Sequence, residues 1–281
     1  MTLAVVQSRA ALGVDAPLVT VEVHLAGGLP SLSIVGLPDT AVREARDRVR
    51  GALATSGFEF PRRRITVNLA PADLPKDGAR FDLPIALGIL AASGQLDPAA
   101  LEHTEFAAEL ALGGALRPVS GTLPLALRAD AAGHALIVAA ANAAEAALGG
   151  GTVHGAEHLL AVCAHLEGRE RLPVAEANAA PSGEPPPDLA EVRGQQRPRR
   201  ALELAAAGGH SLLLCGPPGT GKSMLAARLP GLLPPMAFDE ALETAAVHSV
   251  GEGAFDPGLW AQRPFRAPHH SASQAALTGG G

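Results

Sequence analysis

The sequence predicts an α/β protein of two domains, and three observations support this prediction. Short runs of alternating apolar residues are interleaved with segments whose apolar residues have helical spacing, which is typical of mixed α/β domains. Residues 169–188 contain five prolines and no apolar periodicity, which predicts a linker. A strand-like run, a glycine-rich loop and a helix-like segment follow later in the chain. The predicted boundaries are a first domain over residues 1–168, the linker over 169–188 and a second domain over 189–281.

Length and composition restrict the class of protein. The 281 residues are 47% hydrophobic and only 3% aromatic, so alanine, leucine and valine must fill the core. A net charge of −6 gives no general attraction to nucleic acid or acidic membranes, and any such contact needs a local basic feature. Cys163 and Cys215 have neither metal-site nor disulfide spacing. Because no stretch resembles a membrane span or a signal peptide, we expect a cytoplasmic protein without membrane contact.

The first half of the first domain alternates strand and helix signals. Residues 19–25 alternate apolar and polar side chains, which predicts a strand. The turn "AGGLP" leads into a second strand over residues 32–35, so a hairpin of these two strands is expected. Asp39 can cap a helix that keeps helical apolar spacing as far as Leu53. The run "ITVNLA" (65–70) then predicts another strand.

The second half of this domain continues the alternation. An apolar helix follows "PADLPKDGARFD", and "FAAELALGGALRPV" predicts a second hairpin around Gly113 and Gly114. A helix over roughly 122–132 and the strand "ALIVAA" come next. Asn142 and Glu145 have capping-box spacing for the helix "AAEAAL". The strand "TVHGA" and the helix "EHLLAVCAHLEG" end the domain.

The second domain contains a phosphate-loop motif. The stretch "GPPGTGKS" fits G-x-x-x-x-G-K-[ST] between a predicted strand over 211–215 and a helix that begins near Lys222. Its glycines let the backbone N–H groups face nucleotide phosphates, Lys222 neutralises the β/γ oxygens, and the Ser223 hydroxyl ligates Mg²⁺. The alternative is an ordinary glycine-rich turn from strand to helix. The predicted nucleotide-binding residues here are Gly216, Pro217, Pro218, Gly219, Thr220, Gly221, Lys222 and Ser223.

Hydrolysis requires a second, acidic motif, an apolar strand that ends in Asp or Asp-Glu. The candidate is "PPMAFDE" (234–240), but two prolines before a short apolar run argue against a central strand. Asp239 is better interpreted as the N-cap of a helix. The sequence therefore predicts a chain that binds nucleotide and is deficient in hydrolysis, and we expect it to be truncated within the nucleotide domain.

Two paired sequence blocks carry a family resemblance. "EVRGQQRPRRALELAAAGGHSLLLCGPPGTGKSMLAARLPGLLPP" with "RPFRAPHHSASQAALTGGG" resembles the magnesium-chelatase-like AAA+ ATPases of the YifB/ComM type. "SLSIVGLPDTAVREARDRVRGAL" and "NLAPADLPKDGARFDLPIALGIL" are similar to the N-terminal domain of the same family. The resemblance implies a P-loop αβα domain that binds ATP and Mg²⁺ between the subunits of a homo-oligomeric ring, usually a hexamer.

The resemblance also implies a function and further contacts. ComM-type proteins are implicated in natural transformation as DNA helicases that promote branch migration, so DNA is the expected partner. The alternatives are a chelatase-like or chaperone-like ATPase that remodels a protein, and a non-hydrolysing ATP-binding module. By resemblance, Val192, Gly194 and Gln195 lie near the adenine; the alternative for them is an ordinary helix entry.

The first domain resembles the proteolytic domain of Lon proteases, which has a ribosomal-protein-S5-like fold. In this resemblance, Arg80 stands where the nucleophilic serine follows "PKDG", and Leu123 stands at the lysine position. A Ser–Lys pair cannot operate from arginine and leucine. The resemblance therefore implies an inactive relative used for docking or assembly.

The stretch "RPFRAPHH" is a candidate DNA-contacting pore or insertion loop through Arg263, Arg266, His269 and His270. A structural hairpin is the alternative. Adjacent histidines along a strand point to opposite faces, which disfavours a metal site. The other basic runs, "PRRR" (61–64) and "RPRR" (197–200), are interpreted as solvated surface.

Overall fold

The computed structural model describes residues 3–177, 185–251, 256–269, 271–275 and 279. Contacts divide the chain into two compact units. Unit 1 takes in residues 1–180 and 242–257, and unit 2 takes in residues 181–241 and 258–281. The domain boundaries set from composition remain a prediction.

Unit 1 is an α/β structure around a mixed seven-stranded sheet with the strand order β3-β4-β2-β1-β5-β8-β9. Strand β2 is antiparallel to both β1 and β4, and the remaining neighbours are parallel. The strands are β1 (Leu3–Arg9), β2 (Leu18–Ala26), β3 (Ser31–Val35), β4 (Arg64–Ala70), β5 (Thr104–Ala107), β6 (Glu109–Leu110), β7 (Leu116–Arg117), β8 (Ala135–Ala139) and β9 (Val153–Ala156).

The helices of unit 1 complete its main core. Helix α2 is buried along its whole length, and the inward residues of α1 pack into the same cluster. This all-round burial explains why α2 is apolar on every side. The helices are α1 (Thr40–Thr55), α2 (Asp82–Ala92), α3 (Thr122–Ala131), α4 (Ala143–Ala147) and α5 (Leu159–Leu166).

The expected hairpin of β2 and β3 is wrong. Strand β3 pairs in parallel with β4, starting from Ser31 opposite Arg64, and β4 lies between β2 and β3. The hairpin partner of β2 is instead β1, which the sequence reading missed. Alternation shows which face of a strand is buried but not which strand is its neighbour.

Two local predictions are confirmed, and a third is confirmed in position but not in its hydrogen bond. The Asp39 carboxylate accepts a hydrogen bond from the Val42 N–H at 2.7 Å and caps α1. The second hairpin also forms, with β6 antiparallel to β7. Asn142 is the N-cap residue of α4, as predicted, but its side chain makes no capping bond. Its amide instead accepts from the Val119 N–H and donates to the Val119 carbonyl, both at 2.9 Å. The backbone of this neighbouring loop therefore takes the side-chain hydrogen bonds that were predicted for the start of α4.

The first part of the predicted linker is packed on unit 1. Val174 forms a bridge with His154 of β9, and the Ala175 N–H donates to the Val153 carbonyl at 2.8 Å. The remainder of the linker includes residues 178–184, which lie outside the described residues.

A close backbone approach at Gly36 fixes the turn after β3. Gly36 has φ +102°, and a Cβ placed there would lie 2.1 Å from the Leu69 carbonyl oxygen of β4. Only glycine fits both the dihedral angle and the space.

Gly36→Ala is expected to lower the free energy of unfolding by about 2–4 kcal/mol, because backbone strain and a clash with fixed main chain add. The measurement is urea denaturation. Gly27→Ala is the matched control, since nothing lies within 4 Å of its Cβ position; it should change stability by less than about 0.5 kcal/mol. Equal effects of the two substitutions would contradict this account.

A buried ion pair joins β1 to β5. Arg9 donates through Nε and Nη2 to the two carboxylate oxygens of Glu105, at 2.6 and 2.7 Å. The two side chains are only 8% and 1% exposed. Arg9 also donates to the carbonyls of Ala16 and Arg128, and His134 Nδ1 lies 3.0 Å from Glu105. The pair is therefore almost completely surrounded by partners.

Unit 2 is helical in its described part. A small cluster of Leu189, Val192, Leu202 and Leu225 forms its centre. Helices α6 (Gln196–Gly208), α7 (Lys222–Ala226) and α8 (Leu229–Leu232) belong to it, and α9 (Phe238–Ser249) begins in it. Within the described ranges of the whole chain, none of the helices has the length and apolarity that crossing a bilayer requires.

The predicted strand over residues 211–215 does not form. The segment has no regular secondary structure and is largely exposed, with Leu213 at 85%. A strand needs a neighbouring backbone to complete its hydrogen bonds. The described residues of unit 2 contain no other strand, so the apolar run has no pairing partner there.

Candidate functional site

The phosphate-loop motif forms a tight loop at the start of α7. Gly219 and Gly221 both have φ +81°, a left-handed conformation that favours glycine. The Thr220 hydroxyl donates to the Pro217 carbonyl at 2.9 Å and closes the loop. A Cβ at Gly221 would lie 3.1 Å from the Gln195 amide nitrogen and 3.2 Å from the end of Met224. Glycine at positions 219 and 221 therefore allows the main chain to turn tightly at this loop.

Lys222 folds its ammonium group back over this loop. Its Nζ donates to the carbonyls of Gly216 and Pro217, both at 2.8 Å. The loop residues around it are largely exposed. A cation held at the loop and open to solvent is placed to meet an incoming anion.

The loop also presents unused hydrogen-bond donors. Within the described ranges, the N–H groups of residues 219–223 donate to no protein acceptor. Backbone N–H groups that point outward from a glycine-rich curl form a concavity for anions. Five consecutive donors beside one ammonium group fit the terminal phosphates of a nucleotide.

The segment expected near the adenine lies beside this loop. Val192 is buried against Leu225 of α7 in the small apolar cluster, and Gly194 has φ +70°. Gln195 is also left-handed, with φ +47°, and its amide donates to the Thr220 carbonyl at 3.4 Å. The structure thus brings Gln195 to the loop and Val192 to the helix that follows it; contact of the three residues with an adenine remains a prediction.

Gln195→Asn should weaken nucleotide binding by between about twofold and tenfold, because the shorter amide no longer reaches the loop and one neutral hydrogen bond is lost. Asparagine tolerates the left-handed backbone, so α6 is expected to remain intact. Titration with a fluorescent ATP analogue measures the change. The neighbouring exposed residue supplies the control: Gln196→Asn should bind like the parent, and a loss of the same size there would contradict the tether.

An additional arginine, which sequence reasoning missed, supports the same region. Arg228 donates to the Asp188 and Met224 carbonyls and pairs with Glu191 at 2.8 Å. It therefore ties the end of α7 to the segment that precedes Val192. The partners lie up to 40 residues apart in sequence, so no local spacing indicates them.

Ser223 is exposed at the end of the loop, and its role as a magnesium ligand remains a prediction. The described residues contain no group of three His, Cys, Asp or Glu able to hold a metal ion.

The segment "PPMAFDE" is not a strand, as expected, but Asp239 lies in the first turn of α9 rather than at its N-cap. Instead, the Glu240 carboxylate accepts from the Ala237 N–H at 3.1 Å.

The candidate DNA-contacting stretch has mixed surroundings. Arg263 is bound to its own unit: it donates to the Pro234 carbonyl at 2.8 Å and pairs with Glu240 at 3.3 Å. Arg266 and His269 are exposed, and His269 contacts the Ser271 hydroxyl at 2.7 Å. No hairpin is assigned over residues 263–269, and His270 lies outside the described residues.

The two positions that the Lon-protease resemblance assigns to catalysis, Arg80 and Leu123, are buried in unit 1. Arg80 is 4% exposed, and its Nη2 donates to the Ser120 carbonyl at 3.1 Å, while Leu123 is completely buried. Burial lowers the pKa of Arg80 to about 10, although Asp77 opposes the shift. Lys76 is also buried and donates to the Pro71 carbonyl, and burial lowers its pKa. None of these groups is an exposed nucleophile.

Comparison with known proteins gives matches to both parts of the chain. Residues 21–142 match a family model described as subunit ChlI of Mg-chelatase. Residues 188–281 match a second model, described as magnesium chelatase, subunit ChlI.

Three curated relatives are similar over the whole chain. The chain is 55% identical to protein YifB of Salmonella typhimurium and to competence protein ComM of Haemophilus influenzae. It is 54% identical to protein YifB of Escherichia coli. All three alignments cover 100% of this chain but 56% of the relative. The chain therefore spans a little over half the length of these relatives.

Proposed function

The chain belongs to the YifB/ComM-type, magnesium-chelatase-like family, and on this basis we propose that it is the nucleotide-binding part of an ATP-dependent AAA+ motor. The observation that carries the proposal is the loop over residues 216–223. Within the described residues its N–H groups at 219–223 have no protein acceptor, and the Lys222 ammonium group lies against the Gly216 and Pro217 carbonyls of the same loop. The donors and the cation match the charge and the acceptor oxygens of a triphosphate.

In this proposal each loop residue has a separate role. The N–H groups of residues 219–223 hold the β-phosphate, and Lys222 exchanges its two carbonyl acceptors for β/γ oxygens. Ser223 is the residue that would ligate Mg²⁺, which neutralises phosphate charge when it is bound. Val192, Gly194 and Gln195 lie on the adenine side. These residues bind and orient the nucleotide, whereas the described residues supply no strand that ends in an acidic pair.

The test of this site is a titration of the chain with a fluorescent ATP analogue in the presence of Mg²⁺. We expect saturable binding of the analogue. Unlabelled ATP and inorganic triphosphate should both displace it, because the phosphates make the contacts with the loop. Binding that triphosphate cannot displace would contradict the role of the loop. A chain that binds ATP without hydrolysing it would fit the lack of an acidic motif in the described residues.

We propose DNA as the substrate of the motor, with DNA unwinding and branch migration as its activity. The support is the whole-chain similarity to a protein named for competence. An assay of ATP-dependent unwinding of branched DNA tests it. The second candidate is a chelatase-like or chaperone-like remodeller of proteins, and the match to models of a Mg-chelatase subunit supports its chelatase-like form. Turnover that is stimulated by a protein partner and not by DNA would favour it.

For unit 1 we propose an inactive, Lon-protease-like domain of the ribosomal-protein-S5-like class, used for docking or assembly. The buried Arg80 and Leu123 at the two catalytic positions of the resemblance support the inactivity. Casein digestion by the protein would contradict it. We also propose a cytoplasmic homo-oligomeric ring, usually a hexamer, and light scattering with and without ATP measures the assembly.

A further inference from the structure

A cleft in unit 1 gathers four arginine side chains. It has a volume of about 380 Å³ and lies between the middle of α1, the start of β3 and the segment that enters β4. Its lining includes Arg46, Arg50, Arg62 and Arg63, against the one carboxylate of Asp47. The volume is in the range of ligand-binding clefts. In a chain of net charge −6 this concentration of positive charge is a local feature.

Three of these arginines have no counter-ion among the residues that the structure describes. Within the described ranges, Arg50, Arg62 and Arg63 form no salt bridge, whereas Arg46 approaches Asp47 at 3.6 Å with both side chains more than half exposed. Like charges that converge on one cleft repel each other, and an anion relieves this repulsion. The cleft is therefore expected to attract a polyanion from solution.

A contact with an aromatic ring fixes the position of one of the four arginines, Arg50. Arg46 and Arg50 are four residues apart on α1, so they project from one face about 6 Å apart along the axis. The Arg50 guanidinium carbon lies 5.5 Å from the centroid of the Phe60 ring, a cation–π arrangement. Phe60 itself packs on the core. The ring thus positions a cation and is not free to stack on a base.

We propose that this cleft binds the phosphate backbone of a single-stranded nucleic acid, a proposal that rests on the proposed action on DNA for its choice of polyanion. The planar guanidinium fork matches phosphate oxygens in pairs, which favours arginine over lysine for this contact. A cleft of this volume holds a short piece of one strand. Because the contacts are to phosphates, binding is independent of base sequence and falls steeply with salt.

The experiment is fluorescence anisotropy of a labelled oligothymidylate of roughly twenty nucleotides with the chain, without ATP, between about 50 and 200 mM salt. Arg62→Ala/Arg63→Ala is expected to weaken binding by about tenfold or more at the lowest salt. Each lost phosphate contact reduces the slope of log affinity against log salt by about 0.7 for single strands, so the double variant should lose about 1.4. Arg50→Ala is a second, independent variant.

The control is Arg171→Ala/Arg197→Ala, which removes the same charge from exposed positions outside the cleft. It should bind like the parent. An unchanged affinity of the cleft variants, an equal loss in the control, or equal displacement of the strand by polyglutamate would each overturn the proposal. Lys222→Ala should bind the oligothymidylate like the parent. Loss of nucleotide binding and loss of oligonucleotide binding can therefore be measured separately.

Discussion

Lys222→Ala is expected to reduce the affinity for ATP with Mg²⁺ by on the order of a hundredfold. The side chain supplies the one cation of the loop, and charge-assisted hydrogen bonds to phosphate are worth about 1.5–3 kcal/mol, with tenfold in affinity for each 1.4 kcal/mol. In the structure its ammonium group lies against the Gly216 and Pro217 carbonyls at 2.8 Å, so the cation is already held at the loop. Titration with a fluorescent ATP analogue measures the loss.

Two comparisons make this prediction specific. Lys222→Arg keeps the charge but not the compact ammonium group, and it should not restore affinity because the planar group does not fit the same space. The thermal unfolding midpoint should hardly change for Lys222→Ala, since the lysine contacts only the main chain of an exposed loop. Equal affinity of Lys222→Ala and the parent would remove the basis of the proposed nucleotide site.

Arg9→Met is expected to lower the free energy of unfolding by about 3–5 kcal/mol, because it leaves the Glu105 carboxylate buried without its main partner. Glu105 is 1% exposed and receives two hydrogen bonds from Arg9. Urea denaturation followed by circular dichroism measures the change. The matched control is Arg117→Met, whose partner Glu109 is 3.1 Å away but lies with it near the surface; its cost should be below about 1 kcal/mol.

The double variant Arg9→Met/Glu105→Leu tests the cause. If the cost of Arg9→Met arises from an unpaired buried charge, removal of the carboxylate should recover much of the lost stability. A double variant that is less stable than Arg9→Met would contradict this explanation and would point to the Ala16 and Arg128 carbonyls as the important partners.

Predictions from the sequence were reliable where the residues that form a pattern and the residues that they contact lie close together in the chain. The Asp39 cap, the hairpin at Gly113 and Gly114, and the glycine loop all depend on residues within a few positions of each other. Strand β1 was missed because its pattern is broken: Val5 is exposed although apolar, and Ser8 and Arg9 are buried although polar. Those polar residues are satisfied by β5, nearly a hundred positions away.

The remaining errors have the same physical origin. The partner of β3 depends on the path of α1, and the role of Asn142 depends on the loop at Val119. In the site, the loop was found from its spacing, but the Gln195 contact and the Arg228 pairs were not. Neither periodicity nor capping patterns contain information on contacts between distant segments, which packing decides.

The insertion of β4 between β2 and β3 also bears on how the sheet is assembled. Hairpin β1–β2 and the unit β3–α1–β4 are each continuous in sequence, and they meet along seven residue pairs from Thr20–Ala70 to Ala26–Arg64. Residues 27–30 connect them, and apart from the adjoining residues no heavy atom lies within 4 Å of a Cβ placed at Gly27 or Gly28. A protease cut between these glycines would leave every strand pairing in place. We therefore expect this connection to tolerate a nick or an inserted peptide.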